Sequence, residues 1–358
     1  MGPLSVVRSR GQGAVSRLET INYGKKPSGL EEIIQSSMSA HVETHRSQAM
    51  LPQAILVHPV GRRHHWPGST NQNVMTFLHA LVLGIVQGLT EFLPVSSSAH
   101  LRIVPALLRW DDPGPAFSAV IQIGTLVAVL AYFRDDIGRI ARAWGAGIAN
   151  RQPLANLDAR MGWMMIVGTI PIVVCGLAFK KQIDTDWRSL YVIAAAMIGL
   201  AAVLALAEAW VRWHARRGIP RKRLDGVTWR DGVATGLAQA LALVPGSSRS
   251  GVTITAGLFC GLEREAAARF SFLLSLPSVF AAGVYELYKD RDVLVATRDD
   301  ALALVVATVV SAVVGYLSIA LLLRYLKSHT TWVFIAYRLA LGGSILWWLY
   351  RGTLAAEA

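Results

Sequence analysis

From residue 75 onward the chain alternates long apolar runs with short polar stretches. The runs fall at 75–93, 97–109, 115–133, 161–180, 188–211, 228–243, 248–258, 264–287, 301–325 and 331–350. A helix that crosses a bilayer needs about 20 apolar residues. Six runs meet or approach that length, namely 115–133, 161–180, 188–211, 264–287, 301–325 and 331–350, and each is predicted to span. The pairs 75–93 with 97–109 and 228–243 with 248–258 differ. Each reads as an apolar helix, a break at a proline among Ser or Gly, and a short second helix. Irregular backbone at membrane depth is tolerated where protein buries it or where it lines a wet cavity. Each pair is therefore predicted to be a re-entrant helical hairpin, which makes the fold all-α and integral to the membrane.

Loop charge orients the spans. The loop 134–160 carries Arg134, Arg139, Arg142, Arg151 and Arg160, and the loop 212–226 carries Arg212, Arg216, Arg217, Arg221, Lys222 and Arg223. Both are predicted to be cytoplasmic. The spans 161–180 and 188–211 connect them, so the two assignments agree. The first hairpin then enters from outside and the second from the cytoplasm. Each half is one hairpin plus three spans, in opposite orientation: an inverted-topology repeat with halves 75–211 and 228–350. Gly84–Gln87 matches Gly236–Gln239, each followed by a proline within seven residues. The binding site is expected where the halves meet, and residues 351–358 form a short tail.

Composition supports this reading. The 358 residues are 53% hydrophobic and 16% charged, with mean hydropathy +0.42, too apolar for an ordinary soluble protein. The net charge of +12 sits in short loops between apolar spans, which argues for a positive-inside pattern and against nucleic acid. Cys175 and Cys260 lie in apolar context and imply neither a disulfide framework nor a metal site. Residues 1–74 are rich in Arg, His, Ser, Gly and Gln and have no spanning run. They read as a disordered extension or a mis-assigned start, with Met75 as a natural beginning, and His58, His64 and His65 as solvated loop residues. Small residues such as Ala194–Ala196 and Gly199 suit helix packing within a chain or between chains, which leaves a homo-oligomer open.

The chemistry concentrates at the two breaks. Residues 84–100, GIVQGLTEFLPVSSSAH, place Gln87 and Glu91 on one helix face and follow Pro94 with Ser96, Ser97, Ser98 and His100. Ionisable groups at membrane depth are functional candidates. Glu91 could bind a divalent cation, act as a general base or cap a polar cluster. Three serines and a histidine exceed what capping one helix requires, and helix N-termini suit anions. Residues 236–253, GLAQALALVPGSSRSGVT, supply Gly246, Ser248, Arg249, Ser250 and Thr253. An arginine fork at such a helix start suits a phosphate. An acid, a hydroxyl nucleophile, a histidine and an arginine together fit phosphoryl transfer from a lipid-linked phosphate. Arg338 lies inside the last span and calls for a carboxylate or carbonyl partner. Glu208, near the end of its span, is expected to face an interface.

The segments QGLTEFLPVSSSAH (87–100), FSAVIQIGTLVAVLAYFR (117–134) and PGSSRSGVTITAGL (245–258) resemble the bacitracin-resistance type of undecaprenyl-diphosphate phosphatase. FSFLLSLPSVFAAGVYEL (270–287) and AYRLALG (336–342) are weaker echoes. The resemblance covers 75–350 and none of 1–74. The family's (Glu/Gln)-x-x-x-Glu motif falls on Gln87 and Glu91; this chain has the Gln variant, which leaves Glu91 as the one acid of that motif. The P-x-S-S-x-x-H pattern falls on Pro94, Ser96, Ser97 and His100. The P-G-x-S-R-S-x-x-T pattern falls on Pro245, Gly246, Ser248, Arg249, Ser250 and Thr253.

The resemblance implies hydrolysis of undecaprenyl diphosphate to the monophosphate with a divalent cation, Mg²⁺ or Ca²⁺, held by Glu91. It implies recycling of the peptidoglycan lipid carrier at the outer face of the bacterial plasma membrane, and bacitracin resistance. In the implied mechanism Ser97 attacks the terminal phosphorus and Glu91 activates it. Arg249, Ser248, Ser250 and Thr253 hold the diphosphate, and His100 is acid, base or itself the nucleophile. A lipid-phosphate transporter using the same inverted-repeat site is the alternative. An acid-phosphatase type of lipid phosphatase would need a Lys/Arg-rich first motif and a downstream His with an Asp, which are not found at suitable spacing.

Overall fold

The computed structural model describes residues 77–355. The expectations for 1–74, for His58, His64 and His65, and for a start at Met75 fall outside the described residues. The described chain is helical, with one isolated bridge between Lys222 and Leu262. Its main helices are α1 (Phe77–Phe92), α2 (Ser97–Leu108), α3 (Gly114–Tyr132), α4 (Arg134–Ala149), α5 (Leu157–Ala178) and α6 (Leu190–Arg216). They continue with α7 (Trp229–Gln239), α8 (Arg249–Phe259), α9 (Arg264–Lys289), α10 (Arg298–Leu326) and α11 (Trp332–Tyr350).

Among the described residues six helices are long and apolar enough to cross a membrane: α3, α5, α6, α9, α10 and α11. They coincide with the six predicted spans. Exposed apolar residues follow one another at helical spacing along α10, from Leu302 through Val305, Val309 and Val313 to Leu317 and Leu321, as a lipid-facing stripe should. The chain is a multi-pass membrane protein.

Two segments expected to be loops are helical. Residues 134–149 form α4, with Asp135 and Asp136 in the first turn and Ile140 buried. Acid side chains complement the N-terminal dipole there, and the scattered arginines hid the amphipathic period. The arginines Arg212 and Arg216 belong to α6, which runs through them because its last turn favours basic residues. Elsewhere the starts carry ordinary caps. The Asn156 side chain accepts from the Ala159 N–H at α5, and Thr228 and Asp231 form a capping box at α7.

The first helix of each half packs on a helix of the other half: α1 lies against α10, and α7 against α5. Small residues permit both approaches. A Cβ at Gly84 would stand 2.7 Å from the Ala307 carbonyl oxygen, and one at Gly236 would stand 2.5 Å from the Gly168 Cα. The helices α3 with α9, and α6 with α11, close the bundle. A polar knot ties the basic-loop end. Fully buried Glu208 accepts two bonds from Arg264, at 2.8 and 2.6 Å, and further bonds from the Thr331 N–H and hydroxyl. This corrects the expectation that Glu208 faces an interface: it joins α6, α9 and α11 inside the protein.

Gly236→Val tests the close contact. The added side chain meets backbone, which cannot swing away, so overpacking should cost about 1–3 kcal/mol. Thermal unfolding in detergent should show a lowered Tm, whereas Gly199→Val, at a position with open space around it, should not.

Candidate active site

The two breaks share one local geometry at an offset of 152 residues. Gly84, Gln87, Ser96 and Ser98 correspond to Gly236, Gln239, Ser248 and Ser250. Ser96 caps α2 and Ser248 caps α8, accepting from the Ala99 N–H at 3.4 Å and the Gly251 N–H at 3.1 Å. Both caps are serines with positive φ, 76° and 69°, a region costly for residues with a Cβ. The hydroxyls of Ser96 and Ser98 lie 3.1 Å apart, and those of Ser248 and Ser250 lie 3.2 Å apart. The second serine of each break reaches into the other: Ser98 Oγ accepts from the Gly246 N–H at 3.1 Å, and Ser250 Oγ donates to the Leu93 carbonyl at 3.0 Å.

This cross-bonding brings the first residues of α2 and α8, Ser97 and Arg249, to one carboxylate. Ser97 Oγ donates to Glu91 Oε2 at 2.6 Å, Gln87 Nε2 donates to the same oxygen at 2.9 Å, and the Arg249 guanidinium pairs with Oε1. The Glu91 side chain is 4% exposed. Gln87 is fully buried, and its Oε1 has no hydrogen-bond partner. Thr253 is held away from Glu91: its hydroxyl bonds the Arg249 carbonyl at 2.7 Å and the Ser271 hydroxyl at 2.5 Å. It steadies the first turn of α8.

Beneath the breaks lies Arg338 of α11, 1% exposed. Its guanidinium donates to the carbonyls of Pro94 (3.3 Å) and Ser247 (3.0 Å) through one amino group, and of Gly246 (3.1 Å) and Ala196 (3.3 Å) through the other. Its Nε donates to Met197 at 3.2 Å. Pro94 and Gly246 are equivalent at the 152-residue offset, so one cation grips the same carbonyl of both breaks and the first third of α6. The partners sought for Arg338 are carbonyls.

A cavity of about 500 Å³ opens from this cluster. Glu91, Ser97, Ser98, Ser248 and Arg249 line its inner end. Its walls are mostly apolar, with Ile172, Leu177, Leu243 and Val279 among them, and its other end reaches Lys180, Asp184 and Glu286. His100 is not among its lining residues. The His100 ring nitrogens are both engaged, Nδ1 with the Ser96 carbonyl at 2.7 Å and Nε2 with the Tyr337 hydroxyl at 2.6 Å. The structure therefore joins Gln87, Glu91, Ser97 and Arg249 in one cluster. It sets Ser96, Ser98, Gly246, Ser248, Ser250 and Thr253 as its frame and places His100 behind it.

Residues 80–344 match the family model described as Bacitracin resistance protein BacA. The chain belongs to this family. Among its BacA relatives is an undecaprenyl-diphosphatase of Chlorobium limicola, 58% identical over 282 residues that are 79% of this chain and 100% of the relative. An undecaprenyl-diphosphatase of Chloroherpeton thalassium is 60% identical over the same coverage. One of Chlorobaculum tepidum is 58% identical over 280 residues, 78% of this chain and 99% of the relative.

Sequence reasoning did not find Tyr337, Ser271, Lys180 or Glu286 at this BacA site. Ser271, Glu286 and Tyr337 lie in the weaker echoes 270–287 and 336–342 and Lys180 lies after α5, and the place of each is set by packing across the chain. The Arg338 clamp has a direct test. Arg338→Leu leaves buried carbonyls without donors, each worth about 1–3 kcal/mol. Arg338→Lys restores the charge without the planar fork. Both should lower Tm in detergent, with Leu the more severe, and circular dichroism should report the loss.

Proposed function

We propose that this protein hydrolyses undecaprenyl diphosphate to undecaprenyl phosphate and inorganic phosphate, using the Glu91–Ser97–Arg249 cluster as its active site. Such an activity recycles the lipid carrier of peptidoglycan synthesis and gives bacitracin resistance. The relatives' name supports the substrate, since their whole length or nearly so aligns with this chain. The observation that carries the chemistry is the 2.6 Å bond from Ser97 Oγ to Glu91, within reach for a general base, at the inner end of a cavity walled for a prenyl chain.

In the first step Ser97 Oγ attacks the terminal phosphorus and its proton passes to Glu91. The bond from that phosphorus to the bridging oxygen breaks, and undecaprenyl phosphate leaves. Water then attacks the phosphoserine, giving inorganic phosphate and restoring the Ser97 hydroxyl. Arg249 and the N-termini of α2 and α8 meet the charge that develops on the phosphoryl oxygens. Ser97 is the nucleophile in this reading because His100 has both nitrogens occupied.

The residues fit a divalent cation. The cavity lining carries two cations, Arg249 and Lys180, against three carboxylates, Glu91, Asp184 and Glu286. With all five ionised it is net negative, so a diphosphate needs added positive charge. Glu91 with the unpartnered Gln87 Oε1 and the Ser97 hydroxyl would hold Mg²⁺ or Ca²⁺. When bound, the ion would neutralise charge and act as a Lewis acid.

The architecture in this reading is an inverted repeat of two re-entrant hairpins, α1–α2 and α7–α8, each followed by three spans. The exchange of α1 and α7 between halves and the matching caps support it. The basic residues of 134–160 and 212–226, read as cytoplasmic, support a cavity mouth at the outer face of the bacterial plasma membrane.

Phosphate release from undecaprenyl diphosphate in detergent tests the proposal. Wild type should release phosphate with Mg²⁺ or Ca²⁺ and stop with chelator. Ser97→Ala, Glu91→Gln and Arg249→Ala should each lose about 100-fold or more in kcat. Mass spectrometry of quenched turnover should find phosphate on Ser97. Phosphate on His100, or lipid moved between leaflets of vesicles with none released, would overturn the assignment.

A further inference from the structure

The two cations lining the cavity sit at opposite ends, and each is held by a carboxylate from another element. Arg249 of α8 meets Glu91 of α1 inside. Lys180, in the short helix Lys180–Asp184 after α5, meets Glu286 of α9 at the mouth, with Nζ 2.6 Å from Oε1. Asp184 lies 3.3 Å from the same ammonium, and the Tyr285 ring centroid lies 5.2 Å from it. The Lys180 side chain is 29% exposed and that of Arg249 is 17% exposed. A partly exposed ion pair adds little stability, so fold stability alone does not account for this one. Burial works against the ammonium, but Glu286 and Asp184 outweigh it and hold its pKa above the ordinary lysine value.

We propose that Lys180 is a second phosphate-binding residue: at the cavity mouth it exchanges Glu286 for phosphate oxygens, those of the diphosphate headgroup entering and of inorganic phosphate leaving. The substrate half of this inference rests on the phosphatase reading, and the phosphate half does not. Glu286 acts as a competing anion that keeps the mouth closed between substrates. Exchange replaces one carboxylate–ammonium contact by a phosphate–ammonium contact, so it is readily reversible.

The test measures the affinity of purified full-length protein for inorganic phosphate by thermal shift, and KM and kcat for undecaprenyl diphosphate, in wild type, Lys180→Gln and Glu286→Gln. A phosphate contact predicts opposite signs. Lys180→Gln should weaken phosphate binding and raise KM about tenfold, the size of one charge-assisted contact. Glu286→Gln should tighten phosphate binding and lower KM. A latch that only ties α5 to α9 predicts the same sign in both variants, and that result would overturn the inference. So would an opposition that vanishes in 1 M salt, where screening acts beyond about 3 Å, because only long-range steering would then be at work. Phosphate binding with these signs but no turnover by wild type would overturn the phosphatase reading and leave the mouth site standing.

Discussion

The structure depends on one buried guanidinium. Arg338 directs its donors at five backbone carbonyls. Ala196 and Met197 lie within α6, whereas the other three, at Pro94, Gly246 and Ser247, exist as free acceptors because the helices break there. A continuous helix would have used them, and a break in an apolar surround would leave them unpaired at a cost of several kcal/mol in lipid. The cation needs acceptors and the breaks need donors, so each makes the other affordable. Hydrogen bonds to charged groups are worth about 1.5–3 kcal/mol apiece, which is the scale needed to keep an arginine dry and ionised.

The same clamp shapes the cluster around Glu91. It grips equivalent carbonyls of the two breaks, and the cross-bonds of Ser98 and Ser250 fix their register. The starts of α2 and α8 are then committed to one place. Ser97 and Arg249 occupy corresponding positions, first in their helices, yet differ in chemistry: one supplies a hydroxyl, the other a cation. Near-identical backbones thus present unlike groups to a single acid that only the first half carries. The strained φ at both cap serines is held by this network.

Charge then decides what the cavity can take. Its carboxylates outnumber its cations, so an anionic headgroup depends on reaching Arg249 and Lys180 directly. Between the charged ends the walls are aliphatic, and burial of apolar chain favours a lipid there at roughly 25 cal/mol per Å². A lipid carrying a phosphate satisfies both conditions, and a free sugar phosphate or nucleotide satisfies only one.

Much of this was legible in the chain. Run length alone identified α3, α5, α6, α9, α10 and α11 as spans, because a bilayer imposes one length on any helix that crosses it. The proline breaks at Pro94 and Pro245, with serines after each, marked where the buried polar cluster gathers, because polar groups among apolar helices need partners. The short motifs also held Glu91, Ser97 and Arg249. The amphipathic helix α4 escaped because its arginines read as loop charge. Tertiary structure alone decided the rest. Lys180 meets Glu286 across 106 residues and His100 meets Tyr337 across 237, separations at which no local pattern constrains the partner. The same holds for Arg338: the sequence determined that a buried cation needs acceptors, but which carbonyls face it depends on how the two breaks and α6 pack around one point.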